Sequence, residues 1–203
     1  MHVVCLDLEG VLVPEIWVNV AERIGVEELK KTTRDIPDYD ELMVYRLALV
    51  EKHGLKIQDL QDVISGLEPL PGAKRFLDDL RADHQLIILS DTFDQFATPL
   101  MKQLDWPTIL CHELVIGDGG VIENYKLRQQ DQKRKAVQAL HGLNLKVAAA
   151  GDSYNDTSML SEAEGGILFC PPDNVIREFP QFPVALSYDA LRAEIEKVVV
   201  TFY

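Results

Sequence analysis

The chain predicts an α/β fold: a mostly parallel sheet with helices on both faces, carrying a small helical cap inserted after the first strand. Three observations predict it. From residue 70 onward, short continuous apolar runs alternate with helical periodicity, the pattern of parallel strands buried on both faces. From Glu15 to about Pro69 the periodicity is helical, with no convincing strand. Three apolar runs also end in reactive or ligating side chains. Val3-Val4-Cys5-Leu6 runs into Asp7, Ile87-Ile88-Leu89 into Ser90, and Val147-Ala148-Ala149-Ala150 into Gly151-Asp152.

Taken in order, the first strand is Val3 to Leu6. Ile16, Trp17, Val20 and Ile24 then form the stripe of a first cap helix that Gly25 stops. Asp38 followed by Glu41 resembles a capping box opening a second helix, which Gly54 ends, and Ile57 to Ile64 suggests a third. Glu68-Pro69-Leu70-Pro71-Gly72 returns the chain to the sheet. Residues 1–14 and 70–203 are therefore assigned to a Rossmann-like core and residues 15–69 to the cap. Pro71 to Arg81 reads as a helix, Leu86 to Leu89 as a strand, and Phe93 to Leu104 as a helix broken at Pro99. Leu110 to Ile116 and Val121 to Leu127 flank Gly117-Asp118-Gly119-Gly120, a hairpin signal. A helix at Lys133 to Leu140, a strand at Val147 to Ala150, a helix from about Asn155 to Ala163 and a strand at Ile167 to Phe169 follow.

At 203 residues the chain can bury one substantial core. A net charge of −13 argues against a nucleic-acid partner, whose phosphates need basic surfaces. No apolar run approaches the ~20 residues of a membrane span, and the first residues lack the pattern of a signal peptide. Cys5, Cys111 and Cys170, odd in number and set in apolar surroundings, read as structural thiols of a reducing, cytoplasmic setting. Trp17, Tyr39, Met43 and Trp106 read as packing or pocket-wall residues.

In open α/β sheets, ligands bind beyond the carboxyl ends of the strands, where strand order reverses. A single acid at a strand end is an ordinary loop opener. Asp7, Ser90 and Asp152 all stand at such ends, with Glu9 and Asp156 close behind. Two like charges ~4 Å apart repel by about 1 kcal/mol in water and about 4 kcal/mol at an effective dielectric of 20. Such a cluster raises its own pKa values or recruits a cation. Oxygen-only ligands suit Mg²⁺, and no His-rich or Cys-rich spacing suggests zinc.

Asp7-Leu8-Glu9-Gly10-Val11, Ser90-Asp91-Thr92, Lys133 and Gly151-Asp152-Ser153-Tyr154-Asn155-Asp156 resemble, in order, the four motifs of the haloacid-dehalogenase superfamily of phosphatases. The resemblance implies that Asp7 is a nucleophile forming an aspartyl phosphate and Glu9 the acid/base. It implies that Asp7, Asp152 and the Glu9 carbonyl hold Mg²⁺. Ser90, the Asp91 amide and Lys133 would receive the phosphoryl group. Asn155 would help bind substrate, and Asp156 would orient the lysine or the metal shell. Lys133 also reads, without the resemblance, as a solvated residue of the basic run Lys133-Arg134-Lys135.

Within the cap, Arg46 lies four residues from both Leu42 and Val50, on an apolar face where an unpaired cation is costly. It is either an arginine snorkelling from the edge of the stripe or a bidentate partner for a substrate carboxylate. Glu15 is either a first-turn acid or a partner for an amino group. Together they suit a phosphorylated amino acid. The chain resembles the phosphoserine phosphatases, and among them the small bacterial type that also transfers phosphate from phosphoserine to homoserine. That implies a place in serine and threonine biosynthesis. Two departures stand out: Glu9 replaces the usual Asp, and Val11 the usual Thr or Ser. The longer acid leaves alcohol acceptors such as homoserine open beside water. Other readings are a phosphatase or mutase for another small phosphorylated metabolite and a non-catalytic phospho-accepting signalling module.

Overall fold

In the computed structural model, which describes residues 1–33, 35, 36 and 38–203, β1 (His2–Leu6) lies in the middle of the sheet. It runs parallel to β2 (Leu86–Phe93) on one side and to β5 (Lys146–Gly151) on the other. Beyond β2 come β3 (Ile109–Ile116) and β4 (Ile122–Lys126), the latter antiparallel; beyond β5 come β6 (Gly165–Phe169) and β7 (Val184–Ala185). The order is thus β4-β3-β2-β1-β5-β6-β7. The chain builds outward from β1 in one direction and then returns to build from its other edge. The cleft this reversal opens lies at the carboxyl ends of β1, β2 and β5.

Side chains alternate across each strand and divide the core into two layers. Val3, Cys5, Leu89, Val147 and Ala149 face α6 (Gln132–Gly142) and α7 (Thr157–Glu162), packing with Val137, Met159 and Leu160. Val4, Leu6, Ile88, Ala148 and Ala150 face the other way. They pack with Phe76 and Leu77 of α4 (Ala73–Asp83), Phe96 of α5 (Asp94–Gln103), and Leu191 and Ile195 of α9 (Tyr188–Val200). The same layer continues into the helices inserted after β1: α1 (Ile16–Ile24), α2 (Tyr39–Lys52) and α3 (Ile57–Ser65). Trp17 of α1 meets Phe96 edge to face at 5.3 Å, which joins the insert to the core. Gly25 ends α1 in the left-handed conformation as expected. Asp38 caps α2 by accepting from the Glu41 amide at 2.8 Å, one half of the expected box, and α2 stops at Lys52 with His53 rather than Gly54 at its C-cap.

Several expectations need correction. Pro99 does not break α5. Its missing N–H leaves the Gln95 carbonyl without a helical donor, and Gln61 of α3 supplies one at 2.8 Å. β2 runs on through Phe93 rather than ending at Leu89, and the expected helix at Asn155 to Ala163 is a 3-10 turn at Tyr154–Asp156 followed by the shorter α7. The sequence reading also left β7, α9 and the short α8 (Asp173–Glu178) unassigned. Trp106 is 62% exposed and neither packs in the core nor lines the cleft. Cys170 is exposed, whereas Cys5 is buried as expected and Cys111 partly so. Among the described residues, no helix is long and apolar enough to cross a membrane.

Candidate active site

Asp7 follows β1 directly, and its amide donates to the Ala150 carbonyl at 2.9 Å, which carries the ladder one residue past the strand and sets Asp7 beside Gly151-Asp152. Its carboxylate is buried. Oδ1 accepts from the Leu8 amide at 2.7 Å and lies 3.0 Å from Lys133 Nζ. Both donors address Oδ1, which leaves Oδ2 as the oxygen available to react. Burial and then the charge of Asp156 raise the Asp7 pKa well above the usual carboxylate range, with Lys133 opposing.

Lys133 and Gln132 open α6 and are both buried. The lysine therefore points inward and is no part of a solvated basic face. It meets Asp156 at 2.7 Å, Asp7 at 3.0 Å and Asp91 at 3.7 Å. Burial alone would lower its pKa, but these three carboxylates hold it well above the usual lysine value. Asp156 has no exposed surface and both its oxygens are committed. Oδ1 accepts from Lys133 at 2.7 Å, and Oδ2 from the amides of Asp152 at 3.0 Å and Ser153 at 3.1 Å. Asp7, Asp152 and Asp156 each place an oxygen within 4.8 Å of the others. With Asp156 committed, Asp7 and Asp152 are the pair free to meet a cation, and the all-oxygen set suits a hard divalent ion.

Two glycines make this crowding possible. A Cβ on Gly10 (φ +77°) would stand 2.5 Å from the Asp152 carboxyl carbon, and one on Gly151 would stand 2.2 Å from that of Asp156. Burial, then Asp156 and Glu15, push the Asp152 pKa up to about 7. Glu9 reaches across to the start of α1, where its Oε2 accepts from the Ile16 amide at 2.8 Å. Burial and then Glu15 push its carboxyl up to about 7, against the Ile16 amide, Arg46 and Lys133. The departure at Val11 also has a local reason: its side chain is fully buried in the core layer shared with the insert.

Ser90 and Asp91 lie on β2 where its pairing with β3 shifts register. Ser90 is buried and its Oγ accepts from the Thr92 amide at 3.3 Å. The Asp91 carboxylate accepts from Asn155 at 3.1 Å and Gln132 at 3.2 Å, with His112 Nε2 at 3.6 Å. Burial opposes its ionisation, but Lys133, His112, Asn155 and Gln132 hold its pKa below the usual range. Asn155, expected at the substrate, is thus tied to Asp91. Gln132 and His112 join the site without having been singled out in the sequence, and Tyr39, read there as a packing or pocket-wall residue, lines the cleft and donates its hydroxyl to the Asp91 carbonyl at 2.9 Å. Adjacency to Lys133 was the one available signal for Gln132.

The insert forms the facing wall. Arg46 is buried with its guanidinium 4.9 Å from the centre of the Trp17 ring, and its Nη2 donates to the Lys31 carbonyl at 2.9 Å. Its Nε is buried and has no hydrogen-bond partner among the described residues. Burial lowers the Arg46 pKa to about 10, with Glu9, Tyr39 and Glu15 opposing. Glu15 stands at the N-cap position of α1 but is exposed and makes no capping bond. A cleft of about 930 Å³ joins wall and floor; Asp7, Glu9, Glu15, Arg46, Ser90, Asp91, Lys133, Asp152 and Asn155 all line it, while Asp156 lies behind.

A buried carboxylate–lysine pair at the switch point of a parallel sheet, ringed by further acids, defines a phosphoryl-transfer hydrolase of the haloacid-dehalogenase type. The chain belongs to the haloacid dehalogenase-like hydrolase family, whose model matches residues 1–164. Over 197 residues it is 58% identical to the phosphoserine phosphatase ThrH of Pseudomonas aeruginosa, covering 97% of this chain and 96% of that one. A phosphoserine phosphatase of Pseudomonas syringae pv. tomato is 56% identical over 197 residues, 97% of this chain and 83% of the other. In fold, the chain is similar to the crystal structure of a phosphoserine phosphatase from T. onnurineus, with a TM-score of 0.74 at 20% identity over 97% of this chain and 94% of that one.

Proposed function

We propose that this protein is a Mg²⁺-dependent phosphoserine phosphatase acting through an aspartyl phosphate on Asp7. One observation carries the reading. A single cleft has Asp7 and Lys133 3.0 Å apart on its floor, and in its wall an arginine with a buried N–H that has no acceptor among the described residues. That pairing complements a molecule with a phosphate at one end and a carboxylate at the other, and Glu15 at the cleft mouth suits its amino group. The names of the relatives point the same way.

Asp7 Oδ2 attacks phosphorus as the bond to the serine oxygen breaks, while Ser90, the Asp91 amide and Lys133 hold the phosphoryl oxygens. Glu9, its carboxyl pushed up to about 7, is shared between acid and carboxylate at neutral pH, and the acid form gives its proton to the leaving alkoxide. As carboxylate it then takes a proton from the incoming hydroxyl, whose oxygen attacks phosphorus and frees Asp7. Asp7, Asp152 and the Glu9 carbonyl would hold Mg²⁺, which supplies neutralisation of the phosphate charge. Asn155 acts through Asp91, and residues 15–69 serve as the specificity cap. A reducing, cytoplasmic setting suits the free thiols.

The arm of Glu9 favours a second acceptor. Its extra methylene lets Oε2 reach the Ile16 amide, at the junction of floor and wall. We read this as room for an alcohol such as homoserine beside water. The test is a Mg²⁺-dependent screen of phosphorylated amino acids and sugar phosphates, with and without homoserine. Phosphate release from phosphoserine, lost in Asp7→Asn, is expected. Preference for sugar phosphates would overturn the substrate, and absence of phosphohomoserine during efficient turnover would reject the second acceptor.

A further inference from the structure

On β2, Leu89 pairs with Leu110 and Phe93 with His112, so Ser90, Asp91 and Thr92 stand opposite Cys111 alone. A bulge of this kind frees backbone groups that need other partners. Gln132 Nε2 donates to the Ser90 carbonyl and, at 3.2 Å, to Asp91 Oδ1, which uses both its hydrogens. Its Oε1 accepts from Arg128 Nε at 3.2 Å and Nη2 at 2.7 Å, and a guanidinium has no acceptor, so the amide can face only one way.

The peptide between Ser90 and Asp91 is planar and trans, so its C=O and N–H point in opposite directions. A donor that holds the Ser90 carbonyl therefore also aims the Asp91 N–H away from Gln132. The neighbouring Asp91 carbonyl is held by Tyr39 at 2.9 Å. The Thr92 amide occupies a lone pair of Ser90 Oγ at 3.3 Å, which leaves the hydroxyl hydrogen for a ligand.

We infer that Gln132 is a positioning residue that aims the Asp91 amide and fixes the bulge receiving the phosphoryl group. The inference rests on the proposed reading of the cleft floor as a phosphate site. Gln132→Glu keeps the size and the acceptor for Arg128 but supplies no donor; Arg128→Lys, at an exposed side chain, removes the fork that orients the amide. Both are compared with the unaltered protein, saturated with Mg²⁺, for affinity toward inorganic phosphate and separately toward L-serine. The expected result is a loss of phosphate affinity of about tenfold or more in Gln132→Glu and about threefold in Arg128→Lys, with serine affinity kept within about twofold. Unchanged phosphate affinity in both variants, or equal losses for phosphate and serine, would overturn the role of Gln132. An unaltered protein that binds no phosphate would overturn the reading of the floor and this inference with it.

Discussion

On the floor of the cleft Lys133 and Asp156 are fully partnered; on the wall Arg46 is only partly so, held by the Lys31 carbonyl and the Trp17 ring. Lys133 touches three carboxylates, and both oxygens of Asp156 are filled. Across the cleft, Arg46 has a buried N–H without an acceptor among the described residues, and Glu15 is exposed and caps nothing. An unmet donor in a buried site costs stability that a bound acceptor returns. The Lys133–Asp156 part of the floor is thus organised without a ligand, whereas on the proposed reading the wall is completed by one. Chemistry and selectivity should therefore separate when each side is altered.

The largest effect is expected on the floor. Asp7→Asn keeps the shape but removes the proposed nucleophile, so phosphoserine turnover should fall by about 10⁴-fold. Because burial and Asp156 hold the Asp7 pKa high, the same change should raise the melting temperature of the metal-free protein. Turnover close to that of the unaltered protein would mean that Asp7 is no nucleophile. On the wall, Arg46→Ala should lower kcat/KM for phosphoserine by about 100-fold while changing hydrolysis of a carboxylate-free aryl phosphate by only a few-fold. Equal losses on both substrates would erase the distinction between the two sides.

The acids between floor and wall should make the metal-free fold sensitive to pH. Asp152 and Glu9 titrate near 7 in the fold, against 3.8 and 4.5 as ordinary groups. Between those limits the native state holds more protons than the unfolded chain, so stability falls as pH rises. Below about 4 that cost disappears, and above about 7 it is complete. In EDTA, the melting temperature should drop from pH 5 to pH 8; Asp152→Asn should flatten the slope, and so should saturating Mg²⁺. A metal-free melting temperature that climbs over this range would contradict the assignment of these carboxyls.

The floor was legible in the sequence where an acid directly abuts an apolar run, as Asp7 follows Leu6 and Asp152 follows Ala150-Gly151. Lys133 was legible only through its motif, because in Lys133-Arg134-Lys135 nothing local says which cation turns inward. That depends on the rotation of α6, set by Ala136 and Val137 in the core. Gln132 gave no sign beyond its place beside Lys133, since its work begins only when β2 bulges. α9, by contrast, was there to be read: Leu191, Ile195 and Val199 recur every fourth residue behind Ser187, which accepts from the Ala190 amide at 3.2 Å. Trp106 misled because bulk predicts burial, whereas it sits at φ +51° on an exposed turn after α5.

The smallest expected effect tests the seam between the two sides. Tyr39 begins α2 on the wall, yet its hydroxyl donates to the Asp91 carbonyl on the floor, and its ring stands edge to face with Tyr125 at 6.2 Å. Tyr125 in turn hydrogen-bonds Asp40 of α2, so the start of that helix is tied to the core twice. Tyr39→Phe keeps the ring contact and deletes one hydrogen bond, worth about 1 kcal/mol or roughly fivefold. If the bond serves to bring wall to floor around a substrate, the loss should fall on kcat/KM for phosphoserine. Hydrolysis of a small aryl phosphate, which makes no use of Arg46, should change by less than about twofold. A uniform loss on both substrates would instead place Tyr39 with the floor, as a support of the Asp91 peptide alone.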